Sequence, residues 1–238
     1  MKEETVKEIL KSTPKLYDEI ASDFYQTRKK PWPITDLIKS YAIKADDIVD
    51  LGCGSGRLSE LIAKDQNYLG LDNSSNLIKI AQNNYSNRKN INFQVQDIIN
   101  LKLPENKFDL ALIVAVLHHI PTKKLRSEIL QNVRKSLTSD GLIIITAWNL
   151  WQKDYRRYLL NYKLKLAKYK LLSLNDAFIP WKISGRSEMR YVHSFSKSEL
   201  KNLLETSGFK VKEIFYEDQG QRTSHWQGKN IIAIAEKK

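Results

Sequence analysis

Cysteine, methionine and histidine are scarce in this sequence: one Cys, two Met and four His in 238 residues. A single thiol, Cys53, excludes a disulfide framework and a cysteine-rich zinc site, so no metal is expected. One thiol also suits a reducing cytoplasm. No apolar run approaches the ~18–20 residues of a membrane span. The opening stretch, MKEETVKEILKSTPK, lacks the apolar core of a signal peptide. There is no internal repeat and no Gly/Ser-rich or Pro-rich linker. Acids are also under-represented, 27 against 39 Lys and Arg, for a net charge of +12. That excess has two readings. One is a polyanionic partner, nucleic acid or an anionic membrane surface. The other is a lysine-rich genome, since Ile, Asn and Lys are all abundant here.

The remaining composition, 42% hydrophobic and 28% charged, is that of an ordinary globular chain. Residues 1–30 read as one or two helices, with Tyr17, Ile20, Ala21 and Phe24 on one face. Lys30-Pro31-Trp32-Pro33 breaks the pattern, and a further helix follows at 34–41. Short apolar strands are then predicted at 48–51, 68–72, 91–95, 108–116 and 142–148. Helices at 58–63, 76–84 and 125–137 separate them. This alternation implies an α/β fold with a doubly wound, mostly parallel sheet. The segment 150–172 interrupts it as a basic, aromatic helix, with Tyr155, Tyr158, Tyr162 and Tyr169 on one face. It has three readings: an RNA grip, a membrane-surface helix, or a cover over a pocket. A helix at 198–206 follows, capped by Ser196 with Glu199 three positions on, and Gly208 ends it. Strands at 211–216 and 230–235 complete the chain. One domain is expected, divided into an N-terminal helical cap (1–44), a cofactor core (45–148), a basic helical insertion and substrate loop (149–195), and a C-terminal helix with two strands (196–238).

The stretch Asp50-Leu51-Gly52-Cys53-Gly54-Ser55-Gly56 joins the first strand to its helix. Such a turn lets a ligand approach the backbone. Arg57 stands where a dinucleotide fingerprint needs its third glycine, and no P-loop motif is present. Asp72, closing the second strand, suits a pair of ribose hydroxyls. Asp97 and Ile98, after the third strand, suit an adenine ring. Ribose and adenine without a pyrophosphate grip describe S-adenosylmethionine; the alternative is a Gly-rich turn beside two solvated acids. In these residues, over roughly 45–148, the chain resembles the Rossmann-like S-adenosylmethionine-dependent methyltransferases. The resemblance implies a seven-stranded sheet with an antiparallel last strand. It also implies S-adenosylmethionine as cofactor, held by Asp50, Gly52, Gly54, Gly56, Asp72, Asp97, Ile98 and Ala115.

The acceptor side is expected at Ala115-Val116-Leu117-His118-His119-Ile120-Pro121. The Asn/Asp-Pro-Pro-Tyr/Phe pattern of base amino-methylation is absent there, and Cys53 lies in the cofactor loop rather than where a cytosine-5 nucleophile would stand. His118 or His119 is a candidate base or hydrogen-bond donor, with His118 preferred. Further motifs flank this core: Tyr17-Asp18-Glu19-Ile20-Ala21, Thr27-Arg28, Pro31-Trp32-Pro33, Ile179-Pro180-Trp181-Lys182 and Arg190-Tyr191-Val192-His193-Ser194-Phe195. Over about 17–205 they resemble the tRNA wobble-uridine carboxymethyl methyltransferases. The segments 150–172 and 221–229 depart from that pattern. The resemblance implies esterification of the carboxylate of 5-carboxymethyluridine in the tRNA anticodon loop. It points to Arg28, His118, Trp148, Arg190 and His193 as catalytic, and to Arg186 and Tyr191 as substrate-binding. The alternatives are surface solvation for the arginines and core packing for the aromatics. Eukaryotic members of that family use a small activator subunit. Two other functional readings stand beside this one: a small-molecule O- or N-methyltransferase of quinone or lipid-precursor type, and a non-catalytic, cofactor-sensing RNA-binding protein.

Overall fold

The computed structural model describes residues 1, 3–28, 32–160, 173, 175–183 and 186–238, with the side chains of 182, 183 and 186 excepted. The central sheet is built from β1 (Asp47–Leu51), β2 (Asn67–Asp72), β3 (Ile91–Val95), β4 (Phe108–Val114), β5 (Leu137–Trp148), β8 (Phe209–Asp218), β9 (Gln221–Thr223) and β10 (Asn230–Lys237). Their order is β3-β2-β1-β4-β5-β10-β8-β9. The first five strands run parallel, and β10 runs antiparallel to both β5 and β8. The three-residue edge strand β9 brings the count to eight.

Strand sequence explains the layering. Successive side chains point to opposite faces, so an apolar run buried on both sides feeds two cores. Val49, Ala111, Ile113, Ile143 and Ala233 pack with α5 (Lys123–Ser136) and α7 (Lys197–Thr206). Their neighbours Ile48, Leu110, Leu112, Ile144 and Ile232 pack with α3 (Thr35–Ala42) and α4 (Ser75–Asn84). Helices α1 (Glu3–Glu19) and α2 (Ala21–Thr27) lie ahead of the sheet in sequence. Asp18 ties α1 to the start of α4, accepting hydrogen bonds from Ser74 Oγ at 2.8 Å and Asn76 N at 2.9 Å. Among the described residues, no helix is long and apolar enough to cross a membrane.

Three elements differ from the sequence expectation. The helix expected over 58–63 is a single 3-10 turn, Arg57–Leu61. Ser59 Oγ donates to Gly56 O at 2.6 Å, and the Arg88 guanidinium takes Ile62 O, so the turn cannot propagate. The insertion 149–195, expected to be helical and then a loop, contains an antiparallel hairpin, β6 (Asp176–Ile183) and β7 (Arg186–His193). Pro180 reads as a breaker in sequence, but a two-stranded ribbon tolerates it because each strand is an edge. Ala177, Ile179 and Val192 face a small core with Leu150 and Leu159. Of the basic segment 150–172, residues 156–160 form α6, and 161–172 lie outside the described residues. The third difference is at α7. Ser196 Oγ accepts from Glu199 N at 3.1 Å, but the Glu199 carboxylate turns to His193 instead of closing a capping box.

Gly56 shows why the loop needs its glycines. Its φ is +79°, and an added Cβ would sit 2.6 Å from the Phe93 ring. Gly56→Ala is expected to cost about 2–4 kcal/mol of stability, from left-handed strain plus overpacking. Urea denaturation will measure it; a midpoint equal to wild type would contradict this packing.

Candidate active site

The chain reverses direction across the sheet between β1 and β4, and a cleft opens at their carboxyl ends. Here it forms a cavity of about 510 Å³. The β1 end contributes Asp50, Gly52 and Gly54, β2 contributes Asp72, and the turn after β3 contributes Asp97 and Ile98. Ala115 and His119 line it from the end of β4, Trp148 from β5, Arg190 from β7, and Tyr17, Phe24 and Arg28 from α1 and α2. Gly52 has φ +77°, and a Cβ there would meet Val116 at 2.2 Å, so only glycine leaves this backbone open to a ligand. Ala115 holds a left-handed φ of 59° although it is not glycine. Thr146 stabilises this strained backbone by accepting the Ala115 N–H.

The two acids on the β1 and β2 ends are held differently. Asp72 accepts Gly54 N and Ser74 N, both at 2.9 Å, which fixes its carboxylate against the loop. Burial still pushes its pKa up. Asp50 is 1% exposed; its Oδ2 accepts the Tyr68 hydroxyl at 2.6 Å, while Oδ1 is buried without a partner. Burial pushes its pKa up to about 7. A cationic group placed at Oδ1 would satisfy that oxygen and restore the ionised form.

A relay of hydrogen bonds closes the far side. His119 Nδ1 donates to Tyr191 O at 2.8 Å. A carbonyl only accepts, so Nε2 carries the lone pair and takes the Tyr17 hydroxyl at 3.0 Å. The Tyr17 oxygen in turn accepts from Arg190 Nη1 at 3.3 Å. Burial, then the Arg190 charge, lowers the His119 pKa to about 3, so this ring is neutral at physiological pH. The Arg190 guanidinium is 4% exposed and sits between two indoles, 4.3 Å from Trp148 and 4.1 Å from Trp181. Its Nε is buried with no partner, and among the described residues it has no carboxylate partner. Arg28 stands nearby over Phe24 and Trp181. A second cavity of about 500 Å³ adjoins the first, sharing Arg28, Trp148, Tyr155 and Arg190, and adds Arg157, Tyr158, Pro180 and Trp181.

Several expected site residues stand elsewhere. His118, preferred over His119 from sequence, is fully buried beneath Trp148; its Nδ1 accepts Trp148 N at 3.3 Å. The tight turn after β4 sends the second histidine, not the first, into the cleft. His193 closes the hairpin opposite Asp176, with Nδ1 2.7 Å from Asp176 and Nε2 2.7 Å from Glu199. Burial opposes its charge, but those two carboxylates outweigh burial and raise its pKa, making it an internal ion-pair partner. Tyr191 is 1% exposed and donates to Asp176 at 2.7 Å, so its ring is core. Gly56 packs on Phe93, away from the cavity. The Arg186 side chain, Lys29, Lys30 and Pro31 lie outside the described residues. Sequence reasoning gave no role to Tyr17 or Trp181. Tyr17 falls on an apolar helical stripe, and such a stripe residue reads as core.

A family profile described as "Methyltransferase domain" matches residues 43–218, and the chain belongs to that family. The enzyme is S-adenosylmethionine-dependent: its fold matches an S-adenosylmethionine-dependent methyltransferase of Methanosarcina mazei with TM-score 0.69 and 25% identity, over 84% of this chain and 96% of that one. Among curated proteins, a Schizosaccharomyces pombe tRNA (carboxymethyluridine(34)-5-O)-methyltransferase is 29% identical, over 85% of this chain and 90% of its own length. The Saccharomyces cerevisiae protein of the same name is 34% identical over 70% of this chain, which spans 55% of that relative.

The residues present fit the cofactor. The orphaned Asp50 Oδ1 suits its ammonium, Asp72 its ribose, and Asp97 with Ile98 its adenine. Because Asp50 titrates near 7 when unliganded, cofactor binding should release a proton. Affinity is expected to be on the order of five- to tenfold weaker at pH 6 than at pH 7.5. Asp50→Asn should flatten that dependence in calorimetric titrations. A parallel slope in the variant would remove Asp50 as its source.

Proposed function

We propose that this methyltransferase esterifies the carboxylate of a 5-carboxymethyluridine at the wobble position of tRNA. Arg190 carries the reading. A buried cation held, among the described residues, by two indole faces and a tyrosine hydroxyl calls for an anionic partner. A carboxylate meets that demand, because a guanidinium fork binds it in two places. The names of the relatives, at 29–34% identity, agree with this acceptor. The adjoining cavity, walled by Trp181, Tyr158, Arg157, Arg28 and one acid, Asp154, suits an unstacked pyrimidine, and its arginines outnumber that acid where a phosphate would lie.

The chemistry follows from the groups on each side. The bound cofactor supplies an electrophilic sulfonium methyl. A carboxylate is ionised at neutral pH and needs no base. The neutral His119, with both nitrogens engaged, suits this role: it holds Tyr17, and Tyr17 holds Arg190. Arg190 and Arg28 orient the acceptor oxygen, and Trp148 and Trp181 exclude water around it. With the cofactor bound, transfer would form one C–O bond at the expense of the C–S bond and would require no proton movement from these residues. Alignment of this kind supplies several kcal/mol of the barrier reduction.

The test is methylation of tRNA bearing 5-carboxymethyluridine, followed by mass spectrometry of its nucleosides. A methyl ester on that nucleoside is expected. Methylation of a small-molecule acceptor with no ester on the RNA would overturn the reading. Arg190→Ala should lower kcat/KM about 10- to 100-fold while leaving cofactor affinity nearly unchanged. At saturating cofactor, kcat should stay flat from about pH 6 to 8, since neither the acceptor nor His119 titrates there.

A further inference from the structure

The loop between β9 and β10 carries an aromatic group that the site above does not use. Trp226 is 61% exposed, the most exposed of the described tryptophans. Its ring centroid lies 4.9 Å from His225 and 6.3 Å from Trp151, and His225 lies 6.1 Å from Trp151. Such exposure would be unremarked on a loose loop, but this one is braced. The buried Asn149 donates from Nδ2 to His225 O at 2.6 Å and to Gly228 O at 2.8 Å, and its N–H goes to Lys229 O. Gln152 adds a bond to Lys229 O, and Gln227 Oε1 accepts from Thr223 and Ser224. Two buried polar side chains, Asn149 and Gln152, thus fix the backbone that carries a large ring exposed to water.

The position narrows the occupant. Asn149 directly follows Trp148, and Lys229, Asn230 and Gln152 line the cofactor cavity. The aromatic group is therefore continuous with the methyl-transfer site. Burial and the neighbouring Lys197 lower the His225 pKa, so its ring is a neutral face beside a cation. Lys229 is taken up by Asp218 at 2.9 Å, which leaves Lys197, over the Tyr216 ring next to His225, as the cation at this edge. Neutral rings with a cation beside them match a nucleobase with its phosphate: the base stacks, and the cation meets the backbone.

We infer that Trp226, His225 and Trp151 form a second base-stacking subsite, for an unpaired nucleotide flanking the one that is methylated. The inference rests on the RNA reading above and deepens it. Because Trp226 is exposed, its replacement spares the core, and unchanged thermal melting and cofactor affinity serve as controls. The probe is an unmodified anticodon stem-loop, with 2-aminopurine beside the wobble position, titrated at fixed salt. Wild type should bind it and quench the fluorophore. Trp226→Ala should bind on the order of 5- to 100-fold more weakly and lose the quench, while Trp226→Phe retains both. Wild type and Trp226→Ala binding the stem-loop equally would overturn the subsite and leave the wobble-uridine reading intact. Wild type binding no RNA would overturn both. An oligomeric state that changes in Trp226→Ala, with RNA binding unaltered, would assign the surface to a second copy of this chain and overturn the subsite.

Discussion

The sandwich of Arg190 between Trp148 and Trp181 organises the far side of the cleft, where the proposed acceptor would lie. It joins three stretches far apart in sequence: the end of β5, the β6–β7 hairpin and, through Tyr17, the N-terminal helix. A guanidinium can be buried there because its faces meet π-clouds and one edge meets a hydroxyl. That leaves the Nε edge without an acceptor among the described residues. The tautomer of His119 follows from the same chain of bonds. Its Nδ1–H is spent on a β7 carbonyl, so its lone pair can only receive Tyr17.

The cofactor side obeys a different constraint. There the backbone does most of the work: glycines with positive φ leave room, and Asp72 braces the loop by taking the Gly54 amide while its other oxygen takes Ser74 N of its own turn. The loop can thus hold its shape before a ligand arrives. Asp50 has one buried oxygen unpaired, and burial raises its pKa to about 7, so an arriving cation would shift it toward the ionised form. The rigid half and the electrostatically incomplete half meet at the end of β4, where Ala115 bears backbone strain.

Beneath both sits the His193 cluster. Two carboxylates, Asp176 and Glu199, and the Tyr191 hydroxyl converge on one region, pinning the hairpin to α7. Arg190 stands three residues before His193 on the same strand. The cluster therefore fixes the register from which the guanidinium projects. Its residues look functional in sequence because they are polar and close to the motif. In the fold they serve as the anchor of that motif.

The local chemistry of the cofactor loop was legible from the chain alone. Glycines at alternate positions, and acids closing β1 and β2, are local requirements that leave local marks. So was the layered sheet, because an unbroken apolar run such as Leu110–Val114 can only be buried on both faces. Which of two adjacent histidines enters the cleft was not legible, since a single turn of backbone decides it. Nor was the hairpin, because Pro180 breaks a helix or a central strand but not a two-stranded edge. The role of Tyr17 depends on packing against His119 and Arg190, 102 and 173 residues away, and that of Trp181 on the unforeseen hairpin that sets it against Arg190; no local pattern encodes either meeting. The sequence by itself determined the class of fold and the cofactor's cradle. Only the tertiary structure decided which side chains line the far side of the cleft, because those positions arise from long-range burial and hydrogen bonding.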